Sequence, residues 1–234
     1  MNMELAIDTS TEVASIALSS EGKVIAELTW RAGQNHTAEL VPNLNYLLEQ
    51  AKLSLKDMNG IIVAKGPGSF NGLRVGMSTA KGFASALNIP LVGISTLEVE
   101  AFPYSPTGLP ICPILNVGRG EVATALFQTK RGKWSRLIEE HITTIESLVT
   151  GIKARTIFCG EITHDIKLQL RAKLGRKASI VDNNAVLRRA GYLAELGWSR
   201  LKSRDFDNIS TLEPLYLRRP SITISRKGRL PLPE

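Results

Sequence analysis

The chain has 234 residues, of which 43% are hydrophobic and 22% charged, and its formal net charge at pH 7 is +7. This length and composition allow a buried core that needs no disulfide or metal for stability, which excludes a disordered protein and a disulfide-rich scaffold. No apolar run of about 18 residues occurs, so we expect no membrane span. The N-terminal residues contain the acidic Glu4 and no basic segment, so we also expect no signal sequence. Cys112 and Cys159 lie in apolar runs and are predicted to be buried free thiols, which fits a cytoplasmic protein.

The first half of the chain predicts three strands followed by alternating helices and strands. Period-2 alternation marks the strands, and an apolar stripe at helical spacing marks the first helix. The predicted elements are strands at 5–8, 13–18 and 23–30, a helix at 37–51, a strand at 60–64, a helix at 72–87 and a strand at 90–94.

The second half predicts the same order of elements. Residues 121–126 (EVATAL) are similar to residues 12–18 (EVASIAL), and both follow a buried strand with a polar turn. The elements are strands at 111–115, 121–126 and 134–138, a helix at 145–149, a strand at 156–159, a helix at 163–174, a strand at 179–181 and a helix at 185–201. Two copies of a mixed unit predict an α/β fold with two lobes and a cleft between them.

The domain organisation follows from this repeat and from the Pro- and Gly-rich stretch at 103–110. We predict an N-terminal lobe over residues 1–105 and a second, smaller lobe over residues 106–184. A helix at about 185–203 could pack back on the first lobe, and residues 204–234 form a C-terminal extension.

Two of the loops at the predicted cleft are incomplete phosphate sites. Asp8 and the hydroxyl residues after it, Ser10 included, could hold a metal-bound phosphate, but no glycine lies between Asp8 and Glu12 to let the backbone approach. An Asx-type turn is the alternative. At 159–161, a single glycine stands beside Glu161, whose charge would repel a polyphosphate.

The remaining loop, residues 66–76 (GPGSFNGLRVG), follows a buried strand and opens a helix, where backbone N–H groups can bind an anion. No Gly-Lys-Ser/Thr follows, so it is not a Walker loop. The whole string resembles the GPGSFTGLRIG signature of the TsaB (YeaZ) family, with a departure at Asn71. Other stretches also resemble that family, so that the resemblance covers residues 4–220; Asn116 stands where the family usually has an aspartate.

The resemblance implies a duplicated actin-like fold of the ASKHA superfamily (actin, sugar kinase and heat-shock protein ATPases; ribonuclease H-like) with mixed sheets. It also implies a non-catalytic paralogue of TsaD, acting as a scaffold in the transfer of a threonylcarbamoyl group to the tRNA adenosine beside the anticodon. The implied partners are TsaD and TsaE homologues, with a homodimer in isolation and no membrane. The vestigial nucleotide loops would be formed by Asp8, Ser10, Gly66, Gly68 and Ser69.

The resemblance implies no catalytic residue, no metal and no cofactor, with ATP binding by the isolated chain weak or absent. TsaD binds a metal through two histidines four residues apart, whereas here His36 is followed by Leu40, and one imidazole cannot build that site. The basic residues after position 187 could contact tRNA phosphates, with a solvated surface as the alternative.

The helix at 72–87 carries small residues every fourth position, which would let another helix approach closely. Packing inside the same lobe is the alternative. In the family this helix and the preceding one form a four-helix bundle with the partner. The predicted interface residues are His36, Leu40, Leu44, Leu47, Gly72, Leu73, Gly76, Met77 and Ala80. On this basis, Leu40→Arg or Leu73→Arg is expected to abolish pairing while the lobe still folds.

Three other functions stay open on the sequence alone. An active small-molecule kinase or ATPase would use Asp8, Ser10 and the loop at 66–72. A peptidase would need an acid–base pair beside Ser69, and the sequence around it shows none. A free-standing RNA-binding module would need clustered aromatic residues, whereas aromatic residues are 6% of the chain and are dispersed.

Overall fold

The computed structural model describes residues 2–181 and 188–218, and this part of the chain forms ten strands and six α-helices besides short 3₁₀ turns. The elements are, in chain order, β1 (Met3–Asp8), β2 (Val13–Ser20), β3 (Lys23–Arg31), α1 (His36–Ala51), β4 (Gly60–Gly66), α2 (Phe70–Leu87), β5 (Leu91–Ser95), α3 (Thr96–Ala101), β6 (Ile111–Asn116), β7 (Glu121–Lys130), β8 (Lys133–Thr144), α4 (Ile145–Thr150), β9 (Thr156–Gly160), α5 (His164–Leu174), β10 (Ala178–Ile180) and α6 (Ala190–Lys202). No helix in these ranges is long and apolar enough to cross a membrane.

The predicted elements are present, and most ends differ by a few residues. β8 is longer than predicted because two irregularities in its pairing with β7 break the alternation of its side chains. α3 was not predicted, since six residues are too few to show a helical period. The predicted helix at 185–201 starts later, at Ala190, and its residues 185–187 lie outside the described residues.

The strands form two five-stranded sheets with the same order. The first sheet has the order β3-β2-β1-β4-β5, and the second has the order β8-β7-β6-β9-β10. In each sheet the first three strands pair antiparallel, and the other two run parallel to the central strand. The predicted duplicated α/β fold is therefore confirmed.

Helices cover both faces of the first sheet. α1 and α2 pack on one face, where Leu40 and Met77 belong to the same buried cluster as Ile7. α6 packs on the other face and contacts all five strands, and Leu193 is buried in one cluster with Ile62. Full burial of one such side chain contributes about 1.5–3 kcal/mol, so both faces add to the stability of the lobe.

The third helix of each half packs on the sheet of the other half. α3 follows β5 in sequence, but Leu97 and Ala101 are buried with Ile111 and Leu115 of the second sheet. α6 follows β10 and packs on the first sheet. This exchange joins the two lobes and brings α3 and Arg188 to the cleft.

Candidate functional site

A cavity of about 500 Å³ opens between the lobes. Its walls come from the loops after β1 and β4, the ends of β6 and β9, and residues 215–218. Ser10, Gly68, Ser69 and Glu161 line it, while Asp8 lies beneath them. The structure thus brings the three predicted loops together at the carboxyl ends of the strands, where α/β sheets usually bind ligands.

Asp8 at the base of this cleft is paired with Arg188, the residue just before Arg189 and α6. Arg188 Nε donates to Asp8 Oδ2 at 2.6 Å, and its Nη2 donates to Ser10 Oγ at 3.0 Å and to Thr11 Oγ1 at 2.9 Å. Ser10 N and Oγ both donate to Asp8 Oδ1, at 2.9 and 2.6 Å. The first loop is therefore the Asx-type turn that the sequence left open, and both carboxylate oxygens of Asp8 are occupied.

A second carboxylate, Glu100 of α3, lies 3.7 Å from Arg188 Nη1. The side chains of Arg188, Asp8 and Glu100 are only 6%, 2% and 10% exposed. Burial lowers the pKa of Arg188, but the charges of Asp8 and Glu100 outweigh burial and raise that pKa overall. Burial raises the pKa of Glu100, and Arg188 opposes this rise only in part.

We expect Glu100→Gln to change how stability depends on pH. Since the pKa of Glu100 is raised in the folded state, the folded protein keeps a proton that the unfolded chain releases, and stability is lost as pH rises from the ordinary value of 4.5 through the folded pKa. Glutamine cannot ionise, so the free energy of unfolding of the variant should improve relative to that of the parent chain as the pH of the measurement is raised above about 4.5. Urea titrations measure this difference, and a constant difference across the range would show that Glu100 titrates normally.

The loop after β4 packs on the loop after β1 and not around an open anion site. Ser69 N donates to Ser10 O at 2.7 Å, and a Cβ on Gly68 would lie 2.1 Å from the same oxygen. Thr9 Oγ1 donates to Gly72 O at 2.7 Å. Ser69 Oγ accepts from Gly72 N at 3.4 Å and caps α2, and no histidine or carboxylate of the described residues bonds to that hydroxyl. Gly68 and Gly72 therefore allow close contact with residues 9 and 10, and within the described ranges no base lies beside Ser69.

The loop after β9 is closed against β6. Glu161 N donates to Ile114 O at 2.7 Å, and a Cβ on Gly160 would lie 2.4 Å from that oxygen. Glu161 Oε2 accepts from Asn116 N at 3.0 Å, and Asn116 Oδ1 accepts from Gly118 N at 2.9 Å. The acid thus stays at the wall of the cavity, where it would repel a polyphosphate.

Residues 205–218 run from the edge of the first sheet to the second lobe and cover one side of the cleft. Gly66 has φ +107°, and a Cβ there would lie 2.9 Å from Leu215 O, so this glycine gives room to the covering segment. At its far end, Arg218 pairs with Glu121 of the second lobe. The segment therefore bridges the lobes beside the cavity.

The residues predicted at a partner interface are all buried within the N-terminal lobe. Thr9 lies against the small-residue line of α2, and a Cβ on Gly76 would be 2.3 Å from Thr9 Oγ1. The structure therefore shows that the small residues of α2 pack inside their own lobe, which was the alternative to contact with a partner helix. A partner of α1 and α2 must contact their opposite, exposed side, and such a surface stays a prediction. The buried residues are His36, Leu40, Leu44, Leu47, Gly72, Leu73, Gly76, Met77 and Ala80.

The histidine at the start of α1 supports the first loop. His36 is 5% exposed, and its Nε2 lies 2.7 Å from Thr11 O, so that Nε2 carries the proton and donates it to this carbonyl. Across the described ranges, no group of three His, Cys, Asp or Glu side chains is placed to hold a metal. The cysteines Cys112 and Cys159 are buried and free, as predicted.

Several of the late basic residues are paired inside the protein. Besides Arg188 and Arg218, Arg189 contacts Glu27 at 2.5 Å, and Arg200 contacts aspartates at 205 and 207 at 2.7 and 3.0 Å. Their positive charges are therefore partly neutralised, which leaves less charge for contact with tRNA phosphates. The predicted basic residues at 219–229 lie outside the described residues.

Two lobes on duplicated sheets, with a cleft at the carboxyl ends of their central strands, define the actin-like fold of the ASKHA superfamily. A family model described as TsaD, tRNA N6-adenosine threonylcarbamoyltransferase, matches residues 23–225. The "tRNA threonylcarbamoyladenosine biosynthesis protein TsaB" of Bacillus subtilis is 33% identical over 92% of this chain and 93% of its own length. The protein of the same description from Escherichia coli is 28% identical over 92% of this chain and 94% of its own length. The chain belongs to the TsaB family.

A solved structure agrees with this assignment at the level of the fold. The structure described as YeaZ from Pseudomonas aeruginosa superimposes with a TM-score of 0.79, covers 93% of this chain and 100% of its own, and is 23% identical. The match to the Bacillus subtilis relative over 92% of this chain confirms the family resemblance found in the loop at 66–76.

The base of the cleft does not fit the metal-bound nucleotide that the ASKHA superfamily implies. Asp8, the carboxylate at the place expected for the metal, already bonds to Arg188 and Ser10. In the neighbouring loop, Gly68 and Gly72 pack closely against the carbonyl oxygens of Ser10 and Thr9, and Ser69 N already donates to Ser10 O. A cationic metal would also meet the positive charge of Arg188 at short range.

Proposed function

We propose that this chain is a non-catalytic scaffold subunit in the synthesis of threonylcarbamoyladenosine on tRNA, and that it supports a TsaD-type transferase. The observation that carries the proposal is the Arg188 guanidinium seated on Asp8, 6% exposed, at the base of the cleft. A buried cation that already bonds to Asp8, Ser10 and Thr11 leaves phosphoryl transfer without the metal ion that this chemistry needs. The relatives' descriptions support the pathway.

The exposed side of α1 and α2 is the surface that we assign to the partner. On α1, Val41 is 45% exposed and Tyr46 is 54% exposed, and both are large apolar side chains facing solvent. Tyrosine is enriched among the residues that dominate the binding energy of interfaces, and burial of an aliphatic side chain such as that of valine adds a hydrophobic contribution. TsaD and TsaE homologues are the proposed partners, with a second copy of this chain using the same face when they are absent.

We expect Val41→Arg to weaken binding to the TsaD-type partner about tenfold or more, because a charge placed in a closed interface loses its hydration without a counter-ion. Titration calorimetry with the purified partner measures the change. Leu168→Arg is the matched control, since Leu168 is 52% exposed but lies on α5 in the second lobe. Val41→Arg binding as tightly as the control would place the partner on another surface.

Reconstitution of tRNA modification decides the role itself. Purified components should form threonylcarbamoyladenosine at a rate that falls sharply when this chain is left out, and the chain alone should not hydrolyse ATP. ATP turnover by the isolated chain would favour the kinase or ATPase instead. Full modification in its absence would refute the scaffold role.

A further inference from the structure

The oxygen atoms around Arg188 form a site for a cation. Its three nitrogens lie beside the carboxylates of Asp8 and Glu100 and the hydroxyls of Ser10 and Thr11, at distances between 2.6 and 3.7 Å. Carboxylate and hydroxyl oxygens are also the ligands of hard divalent cations such as Mg²⁺ and Mn²⁺. The oxygen set is therefore suited to a metal, but a side chain of the protein fills it.

The charges make a cation at this position necessary. Asp8 and Glu100 are both almost fully buried, and both carboxyl groups lie against the Arg188 guanidinium, at 2.6 Å and 3.7 Å. Glu161 adds a further negative charge that acts on both Glu100 and Arg188. Removing one partner of a buried ion pair is strongly destabilising, so the fold depends on the positive charge that lies beside Asp8.

Arg188 reaches the site from outside the loop that it neutralises. It precedes α6, the helix that crosses from the second half of the chain to cover the first sheet. Two residues further on, Ala190 N donates to Ser15 Oγ at 3.0 Å, so the backbone at this point is anchored on β2. The guanidinium is thus held in place by the docking of α6.

Resting on the proposed non-catalytic role, we propose that Arg188 is a built-in cation that takes the place of a divalent metal ion on Asp8, and that removing its charge opens a latent Mg²⁺ or Mn²⁺ site. Asp8, Glu100 and Ser10 supply the oxygen ligands in the opened site. The parent chain excludes the metal because the positive charge is already present.

Thermal unfolding with and without MnCl₂ or MgCl₂, at constant ionic strength, tests this. Arg188→Met should melt below the parent chain, and its Tm should rise by about 5–10 °C at a metal concentration 100 times Kd. The parent chain and Arg188→Lys, which keeps a positive charge, should shift by about 1 °C or less. Arg188→Met with Asp8→Asn should lose the response. No rise for Arg188→Met, or an equal rise for the parent chain, overturns the inference.

A second measurement applies if Arg188→Met does not fold without metal. Refolding of Arg188→Met and Arg188→Gln from urea, with and without Mn²⁺, should give folded protein only with the metal. Failure of both variants under both conditions overturns the inference. Loss of partner binding or of tRNA modification would refute the proposed function but leave this result unchanged, because metal binding is measured on the isolated chain.

Discussion

Gly72→Ala should destabilise the protein by about 3 kcal/mol or more, at the upper end of the usual cost of overpacking. A Cβ on Gly72 would lie 2.1 Å from the carbonyl oxygen of Thr9, and this neighbour is backbone and cannot rotate away. Thr9 Oγ1 also donates to Gly72 O at 2.7 Å, so a displaced loop would lose this bond as well. Urea denaturation followed by circular dichroism measures the loss.

Gly82→Ala in the same helix is the matched control. Gly82 is exposed, and a Cβ there would meet nothing within 4 Å. Alanine at such a position should stabilise the protein by about 0.5–1 kcal/mol, because it restricts the unfolded chain and favours the helix. The two variants should therefore change stability in opposite directions. If Gly72→Ala is as stable as Gly82→Ala, Gly72 does not lie in close contact with the carbonyl oxygen of Thr9.

Leu40→Arg should unfold the N-terminal lobe and not merely prevent pairing. Leu40 is 1% exposed and packs between α1 and the first sheet, and Leu73 on α2 is equally buried. Truncation of a buried leucine alone costs about 2–5 kcal/mol, and an unpaired charge in its place costs more. Since a domain has about 5–15 kcal/mol of stability, the helical signal should be lost at room temperature.

Val41→Arg provides the comparison for this second prediction. Val41 is the next residue in the chain but is 45% exposed, so its stability should change by about 0.5 kcal/mol or less. A folded Leu40→Arg that still gave a normal melting curve would mean that α1 does not pack on its own sheet. The burial of Leu40 and Leu73 thus replaces the sequence-based expectation that Leu40→Arg or Leu73→Arg leaves the lobe folded with the opposite prediction.

The predicted interface residues show that the sequence could identify an apolar helix face but not what covers it. The spacing of Leu40, Leu44 and Leu47 shows which face of α1 is apolar, and that face is indeed buried. Periodicity does not say whether an apolar face meets the sheet of the same lobe or another protein. The line of small residues on α2 is ambiguous for the same reason, and the structure shows Thr9 of the same lobe against it.

Arg188 was missed as a site residue because its partner is remote in sequence. Asp8 and Arg188 are 180 positions apart, and no local pattern marks them as a pair. The sequence offered only a chemical indication. Because no glycine follows Asp8, a metal-bound phosphate could not approach this loop closely, and the negative charge of Asp8 then called for another positive group. Glu100 was missed because it lies on α3, a helix too short to predict.

The sequence by itself determined the duplicated α/β architecture, the places of the three cleft loops and the family, because strand alternation, helical period and the string at 66–76 are local properties of the chain. Tertiary structure decided what those loops do. Whether a glycine faces a ligand or another loop, and whether a carboxylate holds a metal or an arginine, depends on which distant segments fold against it. In this protein the exchange of α3 and α6 between the lobes brought Glu100 and Arg188 to Asp8.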